Sequence, residues 1–355
     1  MNKFFCIFFI LLFISKTENV FSSNLIYDVN NVEVNGKINN NFNNNKLIDS
    51  GFKKAFIIFI DKTLLRKDAV SLYKTNPEII KDLVLTYQVI ENKKNNDDKN
   101  ITFLNIKFDP KKINKFLAER KIQYADISNI SLTLLPILIK EKEVFLYSDN
   151  FFHKNWIEQK NKKINTNNEF INYNLALENI EDLEYINNNK ENIDLIDIKK
   201  INSFNNGTNY VLLIIYYTED KFKAFIKTSI KNINIDRNID LIFFQNDENK
   251  SFEEAIVAIK KEIIQIWKEQ NLIDVNTPSF LDFFLKIKQK DDYLKFKFIL
   301  DSIDIIETYS VLEMTSSYSK IRIKYRGKVN KIKDKLSEQK VDIQILDNIW
   351  KLNIK

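Results

Sequence analysis

The sequence predicts an α+β protein with three small domains of α/β-sandwich type after a signal peptide, the last of them ferredoxin-like. The chain has 355 residues, and at about 100–200 residues per domain this length predicts two or three domains. It is 44% hydrophobic and 29% charged, which is enough apolar surface for cores of ordinary size. Segments with strand-like alternation also interleave with segments of helical periodicity, as expected for mixed domains.

The composition excludes several classes of protein. Four glycines and one cysteine are too few for a collagen-like chain or a disulfide-stapled scaffold. The formal net charge of +6 comes from 54 basic and 48 acidic residues, which is a small excess for this length. A nucleic-acid-binding protein usually shows a clustered basic face in addition to a high isoelectric point, so a pI near 8.9 alone does not indicate one.

The amino terminus has the pattern of a secretory signal peptide. Lys3 provides a positive charge, Phe4–Ile14 is an uninterrupted apolar run, and Val20–Ser22 ends in a small residue suited to cleavage. We therefore expect residues 1–22 to be removed on export to a bacterial periplasm. The apolar run is much shorter than the ~20 residues that a spanning helix needs, so no transmembrane span is expected in the mature chain. The alternative is an uncleaved anchor that holds the protein at the inner membrane.

The first domain is predicted to cover residues 23–159 and to mix helices with strands. Pro77 and Pro110 suit first-turn helical positions, and Asp109 suits an N-cap. The predicted strands are Leu25–Lys37, Ile101–Phe108 and a hairpin of Leu132–Ile139 with Val144–Tyr147; the predicted helices are Lys46–Leu65, Glu78–Leu85 and Lys111–Arg120. A polar linker is predicted at 160–169.

The middle α/β domain is predicted at residues 170–276. Phe252–Trp267 is amphipathic, and Ser251 with Glu254 three residues later forms a capping-box pattern. The other predicted elements are a strand or turn at Leu175–Leu177 entering a helix at Ile180–Tyr185, a helix at Ile193–Ile201, and strands at Tyr210–Tyr217, Lys221–Ile230 and Leu241–Phe244.

The last domain, residues 277–355, follows the order βαββαβ, which is typical of a ferredoxin-like fold. Its predicted elements are strand Phe280–Lys288, helix Asp291–Leu300, strands Asp304–Met314 and Tyr318–Arg326, helix Val329–Leu336 and a final strand Val341–Ile354. In such a fold the helices cover one face of the sheet and leave the other face open.

Several of these segments resemble, in order and pattern, the proteobacterial exported proteins of the domain-of-unknown-function 2066 family. The segments that carry the resemblance are Ser50–Leu65 with Arg66-Lys67, Leu104–Asp109, Leu135–Ile139, Leu177–Asp182, Tyr210–Tyr217 and the helix that ends at Trp267. The chain differs in composition from that family, which is usually rich in Gly and Ala, because it is rich in Asn, Lys and Ile instead. The resemblance implies a bacterial envelope protein, and it implies no catalytic residues, because the family has no established activity.

No catalytic constellation is found in the sequence. It contains neither a phosphate-binding glycine loop nor a G-x-S-x-G elbow, and the lone cysteine, Cys6, lies in the predicted signal peptide. His153 has no histidine partner, so a structural role is favoured over a metal or acid–base role. The carboxylates of Glu178, Glu181, Asp182 and Glu184 are favoured as solvated residues, with a shared groove as the alternative. We therefore expect no catalytic residue, cofactor or metal site.

One pattern supports a binding hypothesis. In Tyr318–Arg326 four basic residues alternate with apolar ones, so the cations share one face of the strand. The predicted first strand of the domain, which lies beside it, adds two lysines that we expect on the same open face. The candidate patch is Lys286, Lys288, Lys320, Arg322, Lys324 and Arg326. Glu307 and Glu313 of the neighbouring strand are expected to neutralise part of it.

These observations favour a non-enzymatic binding or adaptor module in the periplasm. Its expected partner is an envelope protein or an anionic lipid or glycan; nucleic acid is not expected, because of the export signal and because Phe284 is the one stacking aromatic on the face. Two alternatives stay open. One is a carboxylate-based hydrolase of envelope glycans, which needs two carboxyl groups roughly 5–10 Å apart. The other is a structural subunit of an envelope assembly, which needs an exposed apolar patch.

Overall fold

The computed structural model describes residues 25–35, 44–94, 100–125, 129–157, 170–204, 207, 209–219, 221–274, 278–346 and 349–354. The predicted signal peptide at 1–22 and the predicted linker at 160–169 lie outside these residues. No helix in the described ranges is long and apolar enough to cross a membrane.

Helices and strands both run through the described parts of the chain, which confirms the α+β class. The strands are β1 (Asp28–Asn35), β2 (Val84–Lys94), β3 (Asn100–Phe108), β4 (Tyr124–Ala125), β5 (Ile130–Lys140), β6 (Glu143–Phe145), β7 (Ile171–Leu175), β8 (Asn209–Tyr217), β9 (Phe222–Ile230), β10 (Ile233–Asp240), β11 (Leu272–Ile273), β12 (Ser279–Lys286), β13 (Ile306–Met314), β14 (Tyr318–Tyr325), β15 (Val341–Leu346) and β16 (Ile349–Ile354). The α-helices are α1 (Asn44–Thr63), α2 (Arg66–Leu72), α3 (Pro77–Leu83), α4 (Pro110–Glu119), α5 (Phe151–Asn155), α6 (Ile180–Asn188), α7 (Glu248–Gln270), α8 (Asp292–Ser302) and α9 (Val329–Glu338).

The chain forms two compact units, and each unit combines separate stretches of sequence. The first contains the described parts of residues 1–59, 74–123 and 273–355, and the second contains those of 60–73 and 124–272. This differs from three consecutive domains. The physical reason is the pairing of β5, which was assigned to the first domain, with β8, which was assigned to the middle one. A boundary near 159 would cut through one sheet.

The second unit is built on a sheet with the order β10-β9-β8-β5-β6, in which β7 also pairs with β5. Strand β5 runs parallel to β7 and β8, and the predicted hairpin of β5 with β6 is confirmed. Both faces are covered. Leu134 belongs to the core on one face with α7, whereas its neighbour Leu135 belongs to the core on the other face with α6. Burial on both faces explains why β5 is apolar almost without interruption.

Pro136 lies in the middle of β5, where a proline is normally excluded because it lacks an N–H group. The buried side-chain amide of Asn150 donates to the Pro136 carbonyl oxygen at 2.9 Å and to that of Phe145 at 3.0 Å. Its oxygen accepts from the backbone N–H of Phe152 at 2.8 Å and so caps α5. The Asn150 side chain therefore links the backbones of β5, β6 and the first turn of α5.

Two local predictions in this unit are wrong. The N-cap of α7 is Asp247, whose side chain accepts from the Lys250 N–H, whereas Ser251 lies buried inside the helix and its hydroxyl donates to the Asp247 carbonyl oxygen at 3.0 Å. The third strand is Ile233–Asp240 and not Leu241–Phe244. This strand lies at the edge of the sheet; Ile233, Ile235 and Ile239 alternate with polar residues, and the last two pack against the core, so a strand signal was present but weaker than the apolar run at 241–244.

The first unit contains a three-stranded antiparallel sheet with the order β1-β3-β2. Helix α1 approaches this sheet closely at Gly51, where a Cβ atom would overlap the side chain of Leu104. Strand β2 was not predicted. The helix expected to reach Leu85 ends at Leu83, and the chain continues directly into β2.

The same unit contains a five-stranded sheet with the order β13-β14-β12-β16-β15. Its first three strands and both helices occur in the predicted sequence order. The final predicted strand, Val341–Ile354, is instead an antiparallel pair, β15 and β16. Strand β16 lies between β15 and β12 and pairs with β12 in parallel. The sheet thus has one strand more than the predicted βαββαβ arrangement.

Candidate anion-binding site

The five-stranded sheet is covered by helices on one face. Apolar side chains of α8 and α9, among them Phe296 and Ile332, form a core with Leu285 and Ile323 of the sheet. The next residues along each strand point the other way, because side chains alternate between faces. The antiparallel register therefore places Phe284 beside Lys320 on the second face, which we call the open face.

Arg322 of the predicted patch is neutralised. The register places it opposite Asp282, and its guanidinium donates from Nε at 2.7 Å and from an Nη atom at 2.9 Å to the two carboxylate oxygens. This bidentate hydrogen bond lowers the pKa of the Asp282 carboxyl group below its usual value. The pair leaves no net charge at this position.

Lys324 and Arg326 share one partner, Glu307. The Lys324 ammonium lies 2.9 Å from one Glu307 oxygen, and the Arg326 guanidinium donates to the other. Burial opposes ionisation of Glu307, but these two contacts lower the pKa of its carboxyl group. Glu307 compensates these cations as the sequence analysis expected. Glu313 lies opposite Lys320 in the register, and its carboxylate accepts a hydrogen bond from the Tyr318 hydroxyl at 2.5 Å.

Lys288 lies beyond the end of β12, in the turn that leads to α8. Its backbone N–H donates to the Asp292 carboxylate at 2.8 Å. Hydrogen bonds from the backbone of Gln289 and Lys288, with the nearby charges of Lys295 and Lys288, lower the pKa of Asp292. Lys288 is thus part of a turn and does not extend the row of cations along the strands.

Lys286 and Lys320 also lie on the open face, where the Lys320 charge adds to the effect of Arg322 in lowering the pKa of the Asp282 carboxyl group. Neither forms an ion pair with any residue that the structure describes, and the Lys320 ammonium lies 5.5 Å from the centre of the Phe284 ring. A third lysine, Lys351, lies beside Phe284 in the parallel register and also forms no ion pair with a described residue. We call Lys286, Lys320 and Lys351 the lysine cluster.

Lys351 was missed by the sequence analysis. The sequence predicts a single final strand at Val341–Ile354, and a single strand of this length does not show which of its residues face outward. The signal that would identify it is the polar pair Asp347-Asn348, which divides the segment into two shorter runs suited to a hairpin.

A depression of about 390 Å³ opens beside the lysine cluster. Its residues are Phe284, Lys286, Ser317, Tyr318, Asp342, Gln344, Lys351, Leu352 and Asn353. The rings of Phe284 and Tyr318 are in contact, with centres 5.6 Å apart. On the β15–β16 side, Asp342 lies opposite Asn353 in the register and Gln344 lies opposite Lys351. The depression therefore combines cations, apolar rings and neutral hydrogen-bonding groups.

This arrangement is suited to binding an anion. Lysine ammonium groups donate to phosphate or carboxylate oxygens, and in an open, water-exposed site they attract anions over about a Debye length, ~10 Å at 0.1 M salt. Asp342 is the one carboxylate among the residues that line the depression. No group of three or more histidine, cysteine or acidic side chains in the described ranges is positioned to hold a metal ion.

His153 lies in the second unit, away from the lysine cluster in sequence and sheet. Its Nε2 atom is 3.1 Å from the Ala176 carbonyl oxygen, and its ring packs edge-on against Tyr147 with centres 5.9 Å apart. These contacts give His153 a structural role in the fold.

The acidic group at α6 does not share one groove. Asp182 is completely buried and accepts hydrogen bonds from the backbone N–H groups of Asn202 at 2.6 Å and Ser203 at 2.9 Å. Glu178, Glu181 and Glu184 are exposed instead. Asp182 thus fixes a neighbouring short helix, while the glutamates lie on the surface.

Comparison with known proteins gives no relatives from which residues could be transferred. No family model, no curated protein and no solved structure matches the chain. The resemblance to the domain-of-unknown-function 2066 family stays a prediction from the sequence pattern. The case for a binding site rests on the geometry of the open face.

Proposed function

We propose that the protein is an exported envelope protein of bacterial type that acts as a non-enzymatic binding module and holds an anionic envelope component on its open face. The lysine cluster is the observation that carries this proposal. The signal-like amino terminus and the resemblance described above support the envelope location. The surface is built from rigid sheet strands, which suits a module that binds without a chemical step.

The lysine cluster is unfavourable for the isolated protein. Like charges on neighbouring strand positions repel each other, and elsewhere on this face Asp282 and Glu307 relieve that repulsion. Lys286, Lys320 and Lys351 form no such ion pair with a described residue, although Glu313 lies opposite Lys320 and Asp342 lines the same depression. An external anion would supply the missing negative charge, so its binding would gain energy that the fold alone does not provide.

A charge-reversal experiment tests this proposal. The test variant carries Lys286→Glu, Lys320→Glu and Lys351→Glu. The matched control carries Lys297→Glu, Lys328→Glu and Lys333→Glu, three exposed lysines of the α8 and α9 side with the same change in net charge. The measurement is co-sedimentation of the purified protein with isolated envelope fragments at low and physiological salt.

We expect the test variant to bind the fragments at least tenfold more weakly and the control variant to bind like the wild type. Added salt should weaken wild-type binding, because exposed charges are screened. Equal binding by all three proteins would refute the lysine cluster as the binding surface. Equal loss in both variants would show a general effect of net charge and would refute it as well.

Export has its own test, which is the amino-terminal sequence of the protein isolated from the cell envelope. Cleavage after Ser22 gives a mature chain that begins at Ser23. A chain that retains Met1–Ile14 and fractionates with the inner membrane would instead establish the uncleaved anchor.

The glycan-hydrolase alternative finds no support at the depression. Retaining and inverting mechanisms both need a pair of carboxyl groups across the substrate. Among the residues that line the depression, Asp342 is the one carboxylate, so no pair is present there. A second described depression, beside β1, contains Asp28 as its acidic residue and again no pair.

One observation favours the structural-subunit alternative. Leu177, Ile180 and Leu183, at the start of α6, are 83%, 78% and 41% exposed. The exposed Glu178, Glu181 and Glu184 lie among them. Exposed aliphatic side chains with an acidic surround are typical of a protein-contact surface. A double variant, Leu177→Ser with Ile180→Ser, should abolish incorporation into an envelope complex on native gels if the protein is such a subunit, and unchanged migration would refute it.

A further inference from the structure

The depression beside the lysine cluster has two chemically different sides. Lysines and aromatic rings lie on β12, β14 and the middle of β16, whereas Asp342 and Gln344 lie on β15 and Asn353 lies near the end of β16. From this arrangement we infer that the ligand is an anionic saccharide, a sugar that carries a phosphate or carboxylate group at one end. This inference rests on the proposed function and names the class of ligand for the same site.

The cationic side selects the charged end of the ligand. Lys286 and Lys351 both line the depression, and they flank Phe284 and its neighbours on the same face. Two ammonium groups provide several N–H donors without fixed geometry, so they accept phosphate and carboxylate groups alike. We therefore expect the ligand to carry one anionic group at this side, either a phosphate or a carboxylate.

The β15–β16 side selects hydroxyl groups. The amides of Gln344 and Asn353 both donate and accept hydrogen bonds, whereas the ionised Asp342 only accepts them. Such a set matches a row of sugar hydroxyl groups, each of which is both donor and acceptor. The Asp342 carboxylate would repel a second negative charge, so an extended polyanion such as a nucleic-acid strand fits this side poorly.

Size and apolar lining agree with a small sugar. Pockets for small ligands have volumes of about 300–1,000 Å³, and the depression at about 390 Å³ is at the lower end of that range. The contacting rings of Phe284 and Tyr318 offer an apolar surface to the C–H groups of a sugar ring. A long polymer could be held at this position only through one or two of its units.

Isothermal titration calorimetry of the mature chain with five probes tests the inference. The probes are glucose 6-phosphate, glucuronate, glucose, inorganic phosphate and adenosine monophosphate. We expect glucose 6-phosphate or glucuronate to bind at least tenfold more tightly than both glucose and inorganic phosphate. Whichever of these two anionic sugars binds more tightly indicates whether the charged group of the natural ligand is a phosphate or a carboxylate.

Three variants localise the binding. Lys351→Gln should weaken glucose 6-phosphate and inorganic phosphate at least fivefold, because both need the ammonium group. Asp342→Asn should weaken only the sugar-bearing probe, by about threefold or more, and leave inorganic phosphate unchanged or tighter. Lys333→Gln, an exposed lysine of α9, is the control and should change neither.

Inorganic phosphate binding as tightly as the better of the two anionic sugars would refute the saccharide. Tighter binding of adenosine monophosphate than of either would show that the site recognises the base, and would refute it as well. Loss of both ligands in Asp342→Asn would refute the division into two sides. If no probe binds but the lysine cluster is still needed for binding to envelope fragments, this inference fails and the proposed function stands. If the lysine cluster is not needed either, both fail.

Discussion

The six-stranded sheet of the second unit and the five-stranded sheet of the first unit differ in how many of their faces are covered. Leu213 and Ile214 are neighbours in β8, and both are fully buried, one in each core. Leu285 is also fully buried, but its neighbour Phe284 points to the open face. The comparison shows where this sequence is constrained by packing and where it is free to carry charges.

The largest expected effect is in the sheet that is covered on both faces. Leu213→Ala and Ile214→Ala should each lower the free energy of unfolding by about 2–5 kcal/mol, because each leaves a cavity in a different core. Urea denaturation followed by tryptophan fluorescence measures this, since Trp156 and Trp267 are both buried in this unit. A cost below about 1 kcal/mol for either variant would mean that one face is not a packed core.

The five-stranded sheet should respond asymmetrically. Leu285→Ala should cost about 2–5 kcal/mol, whereas Phe284→Ala, on the open face, should cost less than about 1 kcal/mol. Hydrogen exchange of peptides from β12 and β14 reports this unit separately. Similar destabilisation by both variants would show that the open face is covered after all, and the lysine cluster would lose its accessibility.

The pattern of apolar residues predicted individual strands in both sheets. Nearly continuous apolar runs in β5 and β8 have few alternatives to burial on both faces. The alternation in β14 likewise placed Lys320, Arg322 and Lys324 on one face, as the register confirms.

What the sequence lacked was information on pairing between distant segments. The partner of β5 is β8, which lies many residues later, so the division into units could not be inferred from local composition. The partners of Arg322 and Lys324 are fixed by register, and the place of Lys351 depends on a hairpin that local patterning did not separate. Strand β10 lies at a sheet edge and has only three apolar residues, so its alternation of isoleucine with polar residues is a weaker signal than the apolar run that follows it.

A buried charge in the second unit should make its stability depend on pH. The Lys268 side chain is 2% exposed, and its ammonium donates to the carbonyl oxygens of Asp61 and Leu64, the latter at 2.8 Å. Burial lowers the pKa of Lys268 to about 8, although the Asp61 charge opposes this shift and Arg66 adds to it. Because the unfolded chain keeps this proton up to a pKa of 10.5, stability should rise between pH 8 and pH 10, by at most about 3 kcal/mol.

The matched variant for this pH dependence is Lys268→Met, which keeps a long unbranched side chain without the charge. The free energy of unfolding of both proteins is measured from pH 7 to pH 10, and the difference between them gives the contribution of Lys268 to the pH dependence. We expect the wild type to gain stability relative to the variant across this range. Measurements above pH 10 are avoided because a hydrogen bond to Asp61 raises the pKa of Tyr73 to about 12, which lowers stability as pH increases there. Parallel curves for the two proteins would contradict the assignment.

The Asn150 amide should contribute a smaller effect in the same unit. Asn150→Ala leaves the carbonyl oxygens of Pro136 and Phe145 without their donor and should cost about 1–3 kcal/mol. Asn150→Asp separates the two roles of the side chain, because aspartate can still cap α5 but cannot donate to the carbonyl groups. We expect urea denaturation to show that Asn150→Asp is no more stable than Asn150→Ala. Full stability of the aspartate variant would assign the whole effect to the cap.

The smallest expected effect on stability is on the open face itself, at the ion pair of Arg322 with Asp282. Both side chains are partly exposed, so solvent screens the pair and it should contribute little to stability despite its bidentate geometry. Because Arg322 lowers the pKa of Asp282, this contribution is present near neutral pH and is lost as the pH falls through the range in which Asp282 is protonated. A double-mutant cycle with Arg322→Gln and Asp282→Asn at pH 7 and pH 3 measures the coupling.

The single variant Asp282→Asn also tests whether the charges of the open face serve binding. Asp282→Asn alone leaves Arg322 uncompensated beside the lysine cluster, so it should strengthen binding to anionic envelope fragments while hardly changing stability. A coupling above about 2 kcal/mol, or weaker binding by Asp282→Asn, would mean that this face is maintained for folding and not for a ligand.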